Sequence, residues 1–206
     1  MFVTSTTTDA TSPDIGYYNS FVTNVADAVP ELLALNATWT VIGSTSAVSA
    51  ATNIGATNSG IYRLDGLEVA AGTTALFSYT INPNPLLNPL PINQLGDLYE
   101  NPVWTGTYWD QTWPGPVGGA FADPFAVRLG LSDSTTYSWI YYEFGNPSLQ
   151  FPLYAISSEL TVGGAAPEPT TIGLTALGGA FLLLALRRKQ QNHMATRTDR
   201  TPPAHH

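Results

Sequence analysis

The side chains of residues 1–166 that could take part in catalysis are almost entirely carboxylates. The three histidines are His193, His205 and His206, the only lysine is Lys189, and the chain has no cysteine. Serine–histidine, cysteine–histidine and Schiff-base catalysis are therefore excluded for residues 1–166 acting alone, as is a zinc site built on histidine or thiolate. The remaining catalytic design is a pair of carboxylates, which glycoside hydrolases hold about 5–10 Å apart.

Two pairs of closely spaced acids are the candidates for such chemistry. Asp65 lies three residues before Glu68, and Asp97 lies three residues before Glu100. Residues 1–166 contain thirteen carboxylates, so such pairs arise by chance, and we interpret them as turn residues and solvated charges. Neither an Asp-x-Asp-x-Asp-Gly calcium loop nor a glycine-rich phosphate loop is present. We predict no enzyme, no catalytic residue, no cofactor and no metal, although loop carboxylates leave a low-affinity calcium site open.

Basic residues are nearly absent from residues 1–166. The 206-residue chain has seven Lys and Arg against fifteen Asp and Glu, and 11% of its residues are charged. Residues 1–166 keep Arg63 and Arg128 against all the acids except Glu168 and Asp199, so their formal charge is −11. Such an acidic surface repels phosphate backbones, which argues against nucleic acid as a partner. The apolar share of 44% is still sufficient to form a core.

A cluster of aromatic residues gives the one positive indication of a ligand site. Trp104 is followed within ten residues by Tyr108, Trp109 and Trp113, and these three border a Gly/Pro-rich surface loop predicted over 113–123. Aromatic faces on an exposed loop can stack on the apolar CH faces of sugar rings. Tyr108, Trp109 and Trp113 are therefore the predicted ligand-binding residues. The alternative is that Trp104 and Trp109 pack into the core and the other two are partly buried.

The first element that could position these residues is a helix near the N-terminus. Ser12 is the predicted N-cap and Pro13 the first helical residue, with Asp14 in the first turn. Apolar residues then recur every three to four positions on one face: Ile15, Tyr18, Phe21, Val22, Val25 and Val29. Pro30 is expected to end or kink the helix, and residues 31–35 could continue it.

Most of the remaining segments up to residue 162 have the composition of β-strands. A strong hairpin signal is Asp65-Gly66, flanked by apolar runs over 61–64 and 67–69. Residues 82–91 contain four prolines and are predicted to form a loop. The other predicted strands begin at Phe2 and at Trp39, and cover 75–81, 103–107, 137–144 and 152–162. The fold class predicted for 1–162 is one α+β domain, with an N-terminal helix and a mostly antiparallel sheet.

The C-terminal segment has the pattern of a membrane anchor. Residues 163–166 form a short linker before Pro167-Glu168-Pro169, and the next 17 residues, 170–186, are uncharged. A transmembrane helix needs roughly 17–25 apolar residues, so 170–186 is predicted to span a membrane. Arg187-Arg188-Lys189 marks the cytoplasmic end, which places 1–162 outside the cytoplasm and 187–206 in a basic cytoplasmic tail. The alternative is a buried core helix.

Pro167-Glu168-Pro169, the short Gly/Leu-rich helix and Arg187-Arg188-Lys189 resemble the PEP-CTERM sorting domain of Gram-negative bacteria. The resemblance covers about residues 166–189 and depends on three features in the right order. It implies a transient membrane anchor that an exosortase, a membrane cysteine peptidase, cuts near the Pro-Glu-Pro motif. It also implies an association with extracellular polysaccharide and biofilm. The tail over 190–206 departs from the family pattern, in which the chain ends soon after the basic cluster.

A second resemblance covers residues 1–162. An opening strand at 2–5, an early helix, Val103-Trp104-Thr105-Gly106-Thr107, Ser138-Trp139-Ile140 and a closing strand at 153–157 are similar to bacterial surface domains with a C-type-lectin-like fold. The calcium-dependent sugar-binding triplets of true C-type lectins, Glu-Pro-Asn or Gln-Pro-Asp, are missing. The resemblance therefore implies a fold and does not imply sugar binding.

Together these features predict an exported, non-catalytic protein of the bacterial cell surface or extracellular matrix. The expected partners are the membrane, an exosortase-type peptidase and extracellular polysaccharide. Met1 is not followed by a basic n-region or an apolar h-region, so we expect either that an export signal has been removed or that the start lies too far downstream. The alternatives are a glycan-binding module in the stricter sense and, least favoured, a carboxylate-dependent glycoside hydrolase.

Overall fold

The computed structural model describes residues 1–78, 85–108 and 119–161. Met1–Leu160 form one compact unit, and Thr161–His206 form a second unit of which only Thr161 is described. No helix within the described ranges is long and apolar enough to cross a bilayer. The predicted membrane segment 170–186, the linker 163–169 and the tail 187–206 lie outside the described residues.

The described part of the chain combines short helices with short strands. Four helices and one 3₁₀ helix are present: α1 Ile15–Asp27, α2 Pro30–Leu33, α3 Ala50–Ile54, α4 Thr73–Leu76 and the 3₁₀ helix Tyr137–Trp139. Eight strands are present: β1 Phe2–Val3, β2 Trp39–Val41, β3 Ile61–Tyr62, β4 Glu68–Ala70, β5 Pro102–Trp104, β6 Val127–Leu131, β7 Phe144–Gly145 and β8 Tyr154–Ser157. The predicted α+β class is confirmed.

These strands form three small antiparallel sheets. The first has the order β1-β8-β2, the second is the β3-β4 pair, and the third has the order β5-β6-β7. In the first sheet Ala155 lies opposite Phe2 on one side and opposite Val41 on the other. An isolated parallel bridge between Trp104 and Leu153 connects the end of β5 to the segment that leads into β8. The prediction of mostly antiparallel pairing is confirmed.

Strand β8 is buried on both faces. Successive residues of a strand point to opposite sides, and the chain from residue 153 to 156 alternates between two apolar clusters. Tyr154 and Ile156 belong to one cluster, together with Trp139, whereas Leu153 and Ala155 belong to the other. The central position of β8 in its sheet therefore places it between the two halves of the core.

Helix α1 begins two residues later than the sequence suggested. Asp14, and not Ser12, is the N-cap, because its carboxylate accepts a hydrogen bond from the Gly16 amide at 2.8 Å. The backbone amide of Ser12 instead donates to the hydroxyl of Tyr18 at 3.0 Å, and this contact holds Ser12 outside the helix. A carboxylate is also the side chain that the positive end of the helix dipole favours.

The apolar face predicted for α1 packs against β2. Tyr18, Val22 and Ala26 are buried, and the Tyr18 ring lies 4.2 Å from that of Phe121. The predicted interruption at Pro30 is confirmed: α1 ends at Asp27, Val29 is extended, and the helix resumes as α2 from Pro30 to Leu33. A proline at the first position of a helix loses nothing, because its missing N–H would have no partner there.

The hairpin predicted around Asp65-Gly66 is present, but its loop is longer than predicted. The Gly66 amide donates to the Arg63 carbonyl at 3.1 Å, and the Arg63 amide donates to the Leu67 carbonyl at 2.9 Å. Gly66 has a φ of +85°, as in a type I turn that is followed by a left-handed residue. The loop therefore has three residues, and the two-residue turn was wrong.

Several segments predicted from β-propensity have other structures. Residues 75 and 76 belong to helix α4, and 79–81 lie outside the described residues. The predicted strand 137–144 is a 3₁₀ helix followed by irregular chain, with strand structure only from Phe144. The Thr136 hydroxyl caps the Ser138 amide, and local capping of this kind competes with strand formation.

Two further elements differ from the predictions for the middle of the chain. Strand β6, Val127–Leu131, was not predicted, although it is the central strand of its sheet. The surface loop predicted over 113–123 is described only from residue 119. In that part Phe121 is 1% exposed and packs against the core, so the surface prediction was wrong there.

Candidate functional site

One predicted ligand-binding residue, Tyr108, lies within the described residues. Trp109 and Trp113 lie outside them. Also outside are the predicted sorting and orientation residues: Pro167, Glu168, Pro169, Arg187, Arg188 and Lys189. The site is therefore built from Tyr108 and the described side chains that surround it.

The segment before Tyr108 is fixed by buried hydroxyl groups. The Thr105 hydroxyl donates to the Ile140 carbonyl at 2.7 Å, and the Thr107 hydroxyl donates to the Thr105 carbonyl at 2.7 Å. A further hydrogen bond of 2.9 Å joins the hydroxyls of Ser44 and Thr107. Because these groups have exchanged water for protein partners, removing one partner leaves the other unsatisfied in the core.

Glycine is required within this segment. Gly106 has a φ of +55°, and a Cβ atom built on it would lie 2.6 Å from the Ser44 carbonyl oxygen. Both the backbone conformation and the close approach exclude a side chain. The Trp104 indole before it is buried and donates to the Thr8 carbonyl at 3.1 Å. The Trp-Thr-Gly-Thr motif is thus a rigid support that presents Tyr108 at its end.

Tyr108 is partly buried and contacts a second tyrosine. Its ring lies 5.0 Å from that of Tyr141, with an interplanar angle of 75°, which is the favourable edge-to-face geometry. Tyr141 in turn lies 6.5 Å from the Tyr137 ring. The predicted role of Trp104 as a core residue is confirmed, since it is fully buried.

Arg128 lies at the centre of this aromatic group. Its guanidinium carbon is 3.7 Å from the centroid of the Tyr141 ring and 3.4 Å from that of Phe144. Two cation–π contacts at these distances hold the guanidinium plane in place. The Nη2 atom also donates to the Tyr141 hydroxyl at 2.7 Å. We call Arg128 with Tyr108, Tyr141 and Phe144 the Arg128 cluster.

The electrostatics of Arg128 differ from those of the other cation in the described residues. Arg63 forms a two-point ion pair with Asp65, and the hydrogen bonds from Arg63 lower the pKa of that carboxyl. Arg128 has no carboxylate within 4.0 Å in the described part of the chain. Its Nε is buried without a hydrogen-bond partner, and burial lowers the pKa of its guanidinium. Among the described residues it is a cation without a carboxylate partner.

Sequence reasoning missed Arg128 as a site residue. A usable signal was present, since Arg128 is one of only two cations in residues 1–166. Nothing in the sequence indicated which residues would contact Arg128. Tyr141 and Phe144 were assigned to a buried strand, although Phe144 is 46% exposed. The contact between them depends on the pairing of β6 with β7, in which Arg128 lies opposite Phe144.

The carboxylates do not form a comparable site. The described residues contain no group of three or more His, Cys, Asp or Glu side chains that could hold a metal ion. In the candidate pair Asp65 and Glu68, the Asp65 carboxylate is bonded to Arg63. The arrangement of the Arg128 cluster suits binding by charge and by ring contact.

Comparison with known proteins found no match among protein-family models, curated proteins or solved structures. The class of protein is therefore defined by what the described residues show. They form an α+β unit with small antiparallel sheets and few helices, and the unit presents an unpaired arginine among aromatic rings.

Proposed function

We propose that this chain is an exported, non-catalytic protein of the bacterial cell surface or extracellular matrix. The observation that carries the proposal is the order Pro167-Glu168-Pro169, an uncharged 170–186 and then Arg187-Arg188-Lys189. A segment of that length and polarity is typical of a membrane helix whose basic end remains in the cytoplasm. Residues 1–162 would then lie on the outer side.

The sorting signal makes an exosortase-type peptidase a proposed partner. In this scheme the helix anchors the chain until cleavage near Pro167-Glu168-Pro169 releases or transfers residues 1–162 to the surface. The absence of His, Cys and Lys from 1–166 supports a non-catalytic role. Solubility outside the cell is supported by the strongly acidic composition of the same residues.

A C-type-lectin-like fold is proposed for residues 1–162. It is supported by the antiparallel pairing of the opening and closing strands, β1 and β8, and by the packing of the early helix α1 on β2. The segment Val103–Thr107 lies in the core between them, with Trp104 fully buried. A fold by itself leaves the ligand undefined.

Glycan binding is the second candidate function. It is favoured by the Arg128 cluster, in which Tyr108 and Phe144 are only partly buried. Extracellular polysaccharide is the corresponding proposed partner. Both functions are compatible, because surface display determines where the protein is and the cluster determines what it contacts.

Mass spectrometry of the protein recovered from cell fractions tests surface display. The expected result is a chain in the envelope or medium that ends near residue 166. Replacing Pro167, Glu168 and Pro169 by alanine should retain the full-length chain in the membrane. A full-length wild-type chain in the cytosol would refute the proposal.

Orientation is tested with variants that remove positive charge either beside the 170–186 segment or farther from it. The triple change of Arg187, Arg188 and Lys189 to glutamine should disturb membrane retention and topology, because these residues fix the cytoplasmic end. The control is the double change of Arg197 and Arg200 to glutamine, which also removes positive charge but farther from the segment. Equal behaviour of both variants would show that the basic triplet does not set the orientation.

A further inference from the structure

We propose that the Arg128 cluster is a binding subsite for the carboxylate of an acidic saccharide, such as a uronic acid unit. This inference rests on the proposed display outside the cytoplasm, where polysaccharides that carry uronic acids occur. It adds a ligand class to the second candidate function, in which only stacking on aromatic rings was considered.

Arg128 lacks a counter-charge among the described residues. Arg128 is partly buried, and in the described residues no carboxylate approaches it, while its Nε has no hydrogen-bond partner. A buried cation is normally paired, because desolvation of an unpaired charge is costly. At Arg128 two ring faces and the Tyr141 hydroxyl provide only part of that compensation. A carboxylate ligand would supply the missing counter-charge at the Nη end of the guanidinium, since Nε itself is buried from solvent.

An anion can approach the Arg128 guanidinium only from its edge. The rings of Tyr141 and Phe144 cover the guanidinium at 3.7 and 3.4 Å from its carbon, so a ligand must meet the edge of the plane. Guanidinium N–H donors point outward along that edge. Nη2 is engaged by Tyr141, and Nη1 makes no hydrogen bond to a described residue. Carboxylates and tetrahedral oxyanions both pair with guanidinium donors along this edge, so the choice between them depends on the aromatic rings.

Aromatic rings surround the Arg128 guanidinium. Phe144 and Tyr137 are 46% and 42% exposed, and the ring of Tyr108 is partly buried. A simple inorganic anion would gain nothing from these rings. A sugar ring that bears a carboxylate would place its apolar CH face on an aromatic surface while its charge meets Arg128. Apolar walls around a few polar groups are the usual composition of a binding site for such ligands.

The negative charge of residues 1–166 limits how many charges the ligand can carry. Residues 1–166 have a formal charge of −11, so a densely charged polyanion lying along the surface would be repelled. Recognition of a single acidic unit, at a chain end or within a mostly neutral polymer, avoids that repulsion. The inference is therefore restricted to sparsely charged saccharides.

The test is a calorimetric titration of the full-length chain in a neutral detergent. The probe is an aldobiouronic acid, in which one glucuronic acid is joined to one neutral hexose, and the matched probe is its methyl ester. The ester has the same rings and no charge. We expect it to bind at least about tenfold more weakly, since charge-assisted hydrogen bonds are roughly twice as strong as neutral ones.

Two variants locate the binding on the protein. Arg128→Gln should weaken binding of the acid at least about tenfold, down to the level of the ester. Arg63→Gln removes the same charge from an arginine that is already paired with Asp65, and it should leave the affinity unchanged. Thermal melting of both variants shows whether they are folded. If Arg128→Gln does not fold, the comparison of acid and ester on the wild-type chain decides.

Three results would overturn the inference: no binding of the acid, equal binding of acid and ester, or equal affinity in Arg128→Gln that is folded. Competition by acetate or sulfate at the same concentration as the acid would show a general anion site and would also refute the saccharide assignment. If the protein is displayed at the surface but does not bind the acid, surface display stands and only the saccharide assignment fails. A cytosolic protein would refute display whatever the titration shows.

Discussion

Replacing Gly130 by alanine should be among the most damaging single-methyl additions in this domain. Gly130 lies in β6, directly against the 3₁₀ helix. A Cβ atom at this position would be 2.0 Å from the Trp139 carbonyl oxygen, 2.6 Å from its carbonyl carbon and 3.0 Å from the Ile140 Cα. All three are backbone atoms. The clash therefore cannot be relieved by rotation of a side chain, and the two segments must separate by about 1 Å or more.

Separating β6 from the 3₁₀ helix costs free energy, because it disturbs the hydrogen bonds to the carbonyl groups of Trp139 and Ile140. The Trp139 carbonyl accepts a hydrogen bond from the buried Tyr154 hydroxyl at 3.0 Å, and the neighbouring Ile140 carbonyl accepts one from Thr105 at 2.7 Å. Overpacking costs about 1–3 kcal/mol, and leaving one buried hydroxyl unpaired costs about 1–3 kcal/mol more. We expect Gly130→Ala to lower the free energy of unfolding by about 2–6 kcal/mol, with about 4 kcal/mol as the central value.

Urea unfolding followed by tryptophan fluorescence measures this effect, because Trp39, Trp104 and Trp139 are buried. With an m-value of about 2 kcal/mol/M, the midpoint should fall by about 2 M. Gly16→Ala is the control. Its Cβ would meet only the end of the Asp14 side chain at 3.1 Å, and alanine is about 1 kcal/mol more favourable than glycine in a helix.

A double mutant separates the two contributions. In the Tyr154→Phe background the hydrogen bond to Trp139 is already absent, so Gly130→Ala should cost about 1 kcal/mol less than in the wild-type chain. An unchanged midpoint for Gly130→Ala at the wild-type m-value would show that β6 and the 3₁₀ helix are not in contact as described. Full additivity would show that the Tyr154 hydroxyl does not hold this carbonyl.

Three further predictions follow from other contacts. Asp14→Ala should lower the free energy of unfolding by about 1 kcal/mol through loss of the N-cap, and Ser12→Ala should cost clearly less in the same urea assay; a larger effect at Ser12 would contradict the helix start described above. Burial raises the pKa of Tyr154 well above its ordinary value of about 10, so the unfolded chain loses this proton first and stability should fall as pH rises above about 10, by up to about 1.4 kcal/mol per pH unit. Tyr154→Phe should reduce that slope without abolishing it, because burial also raises the pKa of Tyr18 and of Tyr99, and an unchanged slope in Tyr154→Phe would count against the assignment. Trp113→Ala should weaken retention on extracellular polysaccharide with nearly the same melting temperature, and equal retention would remove Trp113 from the ligand site.

The parts of the fold that the sequence predicted well are those where one periodic pattern dominates. The apolar face of α1 follows from residues spaced by three and four, and its centre, Tyr18 and Val22, is buried as expected. The alternation of Trp39 and Val41 likewise predicted β2. In both elements the hydrophobic periodicity and the local propensity favour the same structure.

The failures occur where a tertiary contact decides the structure. Residues 137–139 have strand-forming side chains, yet they form a 3₁₀ turn that packs tightly on Gly130. The Trp139 carbonyl accepts a hydrogen bond from the Tyr154 hydroxyl, and the next carbonyl, that of Ile140, accepts one from the Thr105 hydroxyl. None of these partners is close in sequence.

The candidate site was predicted only in part for the same reason. Tyr108 follows from its position beside a run of aromatic residues, and the structure places it next to Tyr141. Arg128 could not be connected to these residues, because its contacts arise from the register of β6 with β7. Whether a charged side chain has a partner depends on which residues the fold brings together, whereas the sequence shows only how many charges there are.

The central place of β8 has a consequence for the order in which this domain can form. A polypeptide that emerges with its N-terminus first presents β1 and β2 early, but the strand that joins them, Tyr154–Ser157, comes out about 110 residues after β2. Until then both edges of the first sheet lack their partner, and neither half of the core can close. The first sheet can therefore be completed only when nearly all of residues 1–160 have been synthesised.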